Sequence, residues 1–226
     1  MYIGPNIVTD GLTMMVDAGS AKSYSGNGVI VNNLVGNQPT GNLSNGPTFN
    51  SDGYWDFDGT NDYMSFGASA SSLVQNKTNL TMGILFKMDS LASLRGLIGT
   101  LNYSCTRNLG LVASGNYLSF YNDTTTCWNV QISNYIPTGK WIFAVGTYDG
   151  TTTRLYGIKD GSLSQVSGTS KSGATNTFTS DFRVMGNEYS SYFTNGQCAQ
   201  AFVYDRVLSE GEITTHYNNL KLRFGL

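Results

Sequence analysis

At 226 residues, 40% hydrophobic and only 12% charged, the chain holds enough apolar material for one sizeable core and carries about half the usual share of charge. A net charge of −2 excludes the basic field that a phosphate backbone requires, so nucleic acid is not an expected partner. Residues 1–20 lack a basic region followed by a long apolar stretch, and no later segment approaches membrane-spanning length. Neither a secretory leader nor a membrane partner is therefore expected, and synthesis in a cytoplasm follows.

The 14 Tyr and 11 Phe, with many Thr, favour pleated, half-buried strands. No Pro-rich linker, charge block or internal repeat divides the chain, so a single domain over residues 11–226 is expected. Ahead of it, residues 1–10 read as an arm: Pro5 fixes an extended entry, apolar periodicity is missing, and contact with a neighbouring protein is the expectation.

Short apolar or alternating runs then follow at 12–16, 54–57, 63–66, 80–88, 97–101, 108–112, 117–121, 130–135, 141–148, 152–159, 182–186 and 197–204. Turn residues separate them, with Asp149-Gly150 the strongest hairpin signal, and the pattern predicts an antiparallel β-sandwich. Over 80–88 the even positions Leu80, Met82, Ile84, Phe86 and Met88 should face the core, while Leu85 breaks the alternation and implies cover on both faces. At 141–145 the expectation is that Trp141, Phe143 and Val145 point inward and Ile142 and Ala144 the other way. One helix is predicted at the C-terminal end, where Ser209 and Glu212 form a capping box and Ile213, Tyr217 and Leu220 repeat at helical spacing. His216 falls on its exposed or boundary part and is read as structural.

Several segments in order carry a resemblance. Residues 11–19 with Ser23-Tyr24, the stretch 55–63 around Phe57-Asp58-Gly59 and Asp62-Tyr63, Gly139-Lys140-Trp141 leading to Asp149-Gly150, and 196–209 are together similar to the laminin G-like branch of the concanavalin A-like lectin and glucanase family. The resemblance implies an all-β antiparallel jelly-roll sandwich with a short C-terminal helix, possible carbohydrate binding, and occasional calcium. More narrowly, residues 4–12, 216–218 and 223–226 resemble structural proteins of tailed bacteriophages, especially marine ones. That implies a virion component with capsid or tail subunits as partners, such as a head decoration or accessory subunit. The alternative is a tail-fibre-associated or free-standing lectin for cell-surface glycans.

Glycoside hydrolases of this superfamily need two carboxylates flanking the scissile bond, commonly a Glu-x-Asp-x-x-Glu run. The glutamates here are Glu188, Glu210 and Glu212, two of them on the predicted helix, so a protein without enzymatic activity is expected. Asp56, Asp58, Asn61 and Asp62 gather hard oxygen donors at one tight turn and could hold Ca²⁺, although Asp and Asn are also ordinary turn formers. Tyr103, Trp128, Tyr189, Tyr192 and Phe193 are candidate sugar-stacking residues, the last three in a loop between predicted strands. Cys105, Cys127 and Cys198 lack metal-type spacing. Free thiols are expected, with a Cys105–Cys127 bridge as the alternative.

Overall fold

A computed structural model describes residues 7–36, 39–102, 108–122, 129–169, 172–188 and 192–226. Its strands are β1 (Leu12–Asp17), β2 (Ile30–Val31), β3 (Gly41–Ser44), β4 (Thr48–Asn50), β5 (Tyr54–Asp58), β6 (Tyr63–Ser65), β7 (Leu80–Met88) and β8 (Arg95–Thr100). They continue as β9 (Leu109–Ser114), β10 (Tyr117–Asn122), β11 (Asn129–Ile132), β12 (Trp141–Tyr148), β13 (Thr152–Lys159), β14 (Ser162–Thr169), β15 (Phe182–Val184) and β16 (Asn195–Tyr204). One helix, α1 (Glu210–Phe224), closes the described chain.

Two antiparallel sheets form the expected sandwich. The first runs β14-β13-β12-β7-β16-β5-β4, with β1 also paired to β16, and the second runs β11-β10-β9-β8-β15-β6-β3-β2. Between them lie Leu80, Met82, Ile84, Phe86 and Met88 of β7, as their alternation predicted, with Trp55, Phe57, Phe120 and Phe182 from neighbouring strands. Leu85 faces the opposite way, into a second apolar cluster beneath α1. The first sheet is thus buried on both faces, which explains why its strands read as nearly continuous apolar runs.

That third layer corrects the facing of β12. Ile142 and Ala144 lie between the sheets, whereas Phe143 and Val145 lie under α1 with Trp141 packed beside them. The alternation is right and its sense reversed, because a strand covered on both sides does not reveal which apolar set meets the partner sheet. In β16 a bulge between Cys198 and Gln200 resets the phase, so Cys198 and Ala201 both face the inter-sheet core. Gly83 makes room on the helix side, where an added Cβ would come within 2.2 Å of the Phe202 ring.

The capping box forms as predicted: Ser209 Oγ accepts from Glu212 N at 3.3 Å and Glu212 Oε2 accepts from Ser209 N at 2.8 Å. Arg206 Nη2 donates to Glu212 Oε1 at 2.6 Å, and this guanidinium contact is the main reason the Glu212 carboxyl is lowered to about 2. Gly225 ends the helix in the left-handed conformation, φ 63°. The stripe Ile213, Tyr217 and Leu220 is buried, and so is His216, only 2% exposed and stacked on Phe202 at 4.8 Å. The boundary position expected for His216 is therefore corrected, because α1 lies flat enough on the first sheet to cover one more position of its turn. Of residues 1–10, the described Ile7 and Val8 pack against the same cluster.

Candidate functional site

The turn between β5 and β6 carries the acidic residues singled out above. Asp58 Oδ1 accepts from Thr60 N at 2.7 Å and Asn61 N at 3.4 Å, and Asp62 Oδ2 accepts from Asp58 N at 3.2 Å. The Thr60 amide, first among these, lowers the Asp58 carboxyl, whereas burial raises that of Asp62. Asp56 turns across the first sheet, its Oδ1 accepting from Gln197 Nε2 at 2.6 Å, and the Asn61 carbonyl accepts from Asn45 Nδ2 at 2.7 Å. The four are neighbours in the turn, where Asp58 and Asp62 each accept from turn amides and Asp56 from Gln197. Gly59 at the apex has φ 74°, and a Cβ there would come within 2.6 Å of Asn195 Cβ. Among the described residues no group of three or more His, Cys, Asp or Glu is placed to hold a metal ion.

The outer face of the second sheet presents a different arrangement. With Met64, Phe182, Val184, Leu111 and Phe120 turned into the core, the alternate positions must point outward. The strand registers align them in one cross-strand row: Asn42, Ser65, Arg183, Gly99, Gly110, Tyr121 and Asn129. Gly99 and Gly110, side by side in the row, are buried, and the partly exposed positions are Arg183 and Ser65 on one flank and Tyr121 and Asn129 on the other.

Arg183 is fixed from several sides. Its guanidinium sits 4.1 Å from the Tyr63 ring centroid, its Nε donates to Asp181 Oδ2 at 2.8 Å, and its Nη1 donates to the Asn187 carbonyl. Asp181 is held in turn by Ser65 Oγ at 2.8 Å. The Phe193 ring stacks on Tyr63, centroids 6.0 Å apart and planes 23° apart, and both rings remain half-buried. Asn187 Nδ2 donates to the Tyr192 carbonyl at 3.5 Å, folding the segment after β15 back on itself. Tyr192 and Phe193 are thus brought to this face, while Tyr103, Trp128 and Tyr189 lie outside the described residues. So do Cys105 and Cys127. Cys198 is a free thiol in the inter-sheet core, pushed up by burial.

Arg183, Asp181, Ser65, Tyr63 and Tyr121 escaped the sequence reading. The available signal was the outward Arg183 between inward Phe182 and Val184. With three residues in the strand, that alternation is too short to stand out.

A family model described as the concanavalin A-like lectin/glucanases superfamily matches residues 58–214. No curated protein sequence matches the chain. Among solved structures, the chain is similar to the Trypanosoma rangeli sialidase in complex with sialic acid, with a TM-score of 0.69 and 16% identity over 96% of this chain and 34% of that one. It is also similar to domain 4 of a GH43 extracellular arabinanase from Geobacillus stearothermophilus in complex with arabinotriose. That likeness has a TM-score of 0.66 and 14% identity over 90% of this chain and 96% of the domain. The chain spans about a third of the sialidase's length.

These likenesses correct the expectation of a protein without enzymatic activity, since the structural neighbours are parts of a sialidase and of an arabinanase, both enzymes. The carboxylate search could not reveal this. It tests one sandwich for a catalytic pair and is silent about a protein in which the sandwich is one part.

Proposed function

Because the chain belongs to the concanavalin A-like lectin/glucanases superfamily, we propose that it is a carbohydrate-binding module that takes glycan on the outer face of its second sheet. The observation that carries this reading is the half-buried Phe193 ring stacked on Tyr63, next to the outward Arg183 and Ser65 and on the same face as Tyr121 and Asn129. The rings offer an apolar surface to the C–H face of a sugar, and the flanking side chains offer hydrogen bonds. Because the Arg183 charge is already met by Asp181, an uncharged glycan fits better than an acidic one. The arabinotriose complex of the arabinanase domain supports an uncharged glycan.

Glycan-array screening of the purified chain, followed by calorimetry, tests the reading. Tyr121→Ala and Phe193→Ala should each weaken binding about tenfold, the loss of one stacking contact of about 1.4 kcal/mol. Arrays that stay dark, or affinities untouched by both variants, would refute it.

We also assign the module to the surface of a virus particle, as a head decoration or accessory subunit. Support comes from the likeness of residues 4–12, 216–218 and 223–226 to tailed-phage structural proteins and from a surface whose polarity rests on Asn, Ser, Thr and Gly. A tail-fibre-associated adhesin is the competing placement, and imaging purified particles with labelled protein distinguishes the two.

A further inference from the structure

A second cavity lies on the opposite side of the first sheet, between α1, the end of β1 and the turn that follows it. It has a volume of about 360 Å³, inside the range of pockets that hold small ligands. Its polar wall includes Asp17, Gln200, His216, Asn219 and Arg223. Asp17 Oδ1 accepts from Arg223 Nη1 at 2.7 Å and Asp17 Oδ2 accepts from Gln200 Nε2 at 2.9 Å. His216 donates Nε2–H to Tyr204 Oη, because the Tyr204 hydroxyl hydrogen already goes to the Val8 carbonyl. Leu34 and Leu220 supply apolar wall.

This bonding leaves specific valences open. Gln200, 3% exposed, keeps Oε1 without a partner, and Arg223 Nε is likewise buried and unpaired. His216, 2% exposed, lines the same cavity. Buried polar atoms are nearly always paired, so an unmet acceptor and an unmet donor on two residues that line one cavity call for an occupant. The ion pair cancels its own charge, and burial lowers the imidazole so that it is neutral at pH 7. A neutral wall recruits neither a free anion nor a free cation. A hydroxyl is a neutral group that donates and accepts at a single atom, and a sugar ring carries several of them.

We infer that this cavity is a binding site for a single uncharged, polyhydroxylated ring of monosaccharide size, with its hydroxyls on Gln200 and Arg223 and its C–H surface on Leu34 and Leu220. The site is separate from the outer-face site and stands or falls independently of it, since the first sheet and the inter-sheet core lie between the two.

The test uses the full chain with glucose, galactose, mannose and arabinose as probes and N-acetylneuraminate as the charged control, followed by saturation-transfer NMR and titration. At least one neutral sugar should bind with a Kd of about 1 mM or tighter and the charged control more weakly. Ala21→Phe, at an exposed lining position where folding is undisturbed, should block the cavity and reduce binding at least about tenfold. Gln200→Leu should do the same, both variants being read in a chain that already carries Tyr121→Ala and Phe193→Ala, so that the outer-face site does not contribute. In that chain, absence of binding by all four neutral sugars would overturn the inference, as would preference for the charged control or binding that survives Ala21→Phe. Binding by the native chain that disappears in the Tyr121→Ala, Phe193→Ala chain would place the ring on the outer face and overturn it equally.

Discussion

The Tyr204 hydroxyl gives its hydrogen to the Val8 carbonyl and receives one from Nε2 of His216, each across 2.6 Å. One phenol thereby joins the strand β16, the helix α1 and the segment ahead of β1, and it fixes the tautomer of a buried imidazole.

That arrangement makes stability depend on pH in a defined window. Burial lowers the His216 imidazole to about 4 from 6.5, so the unfolded chain takes up the proton first as pH falls. The contribution is full above about pH 6.5 and is lost as pH drops toward 4, to a total of about 3 kcal/mol. Glu212, lowered to about 2 from 4.5, loses its share between about pH 4.5 and 2, at the foot of that window and below it. Urea unfolding at about pH 7 and pH 5 should show the loss in the native chain and a flatter profile in His216→Gln. Equal slopes in both proteins would mean that another group is responsible.

Packing between the first sheet and α1 should be intolerant of added volume at Gly83. Gly83→Ala would drive a methyl into the Phe202 ring and cost about 1–3 kcal/mol, and Phe202→Ala should cost about 3–5 kcal/mol. In the double variant the ring that clashes is gone, so the combined loss should fall below the sum, a non-additivity that equilibrium unfolding can read. Strict additivity would place the strain elsewhere.

Removing the helix cap is a milder change. Ser209→Ala leaves the Glu212 amide without its acceptor and should cost about 1 kcal/mol. The same substitution in a chain already carrying Glu212→Gln should cost less, because half the reciprocal box is gone. Thermal melts of the four proteins complete the cycle.

At the β5–β6 turn the carboxylate oxygen of Asp58, rather than its charge, caps two amides. Asp58→Asn should stay within about 0.5 kcal/mol of the native chain while Asp58→Ala loses about 1 kcal/mol or more. If Asn fails as badly as Ala, the charge itself matters and the turn serves something beyond its own backbone.

What the sequence disclosed and what it withheld follow one physical division. Features whose partners lie within a few residues were legible: the Ser209–Glu212 box, the Asp149-Gly150 hairpin, and the inward set of β7 with Leu85 facing the other way. Features that depend on a distant partner were not. The sense of the alternation at Phe143 depends on whether α1 lies over that face, and the burial of His216 on Phe202 depends on the same docking. Arg183 and Tyr63 meet only because β15 and β6, far apart in the chain, are neighbours in the second sheet. At the candidate site, Phe193 was anticipated as an aromatic in a loop, but its stack on Tyr63 is a product of the fold.

The position of β16 sets the order in which the molecule can be completed. It is the strand that joins β7 on one side to β5 and β1 on the other, and its partner Leu12 lies across almost the whole chain from Tyr204. Until β16 arrives, the first sheet exists only as separated fragments, β14-β13-β12-β7 and β5-β4, with open hydrogen-bonding edges. Loop closure on that scale is slow, in the range of milliseconds to seconds for sandwiches dominated by distant contacts. During synthesis the gap stays open until the last strand has left the ribosome, and α1 has no two-sided surface to dock on before then. Assembly thus proceeds from the flanks toward the middle, with β16 as the final insert.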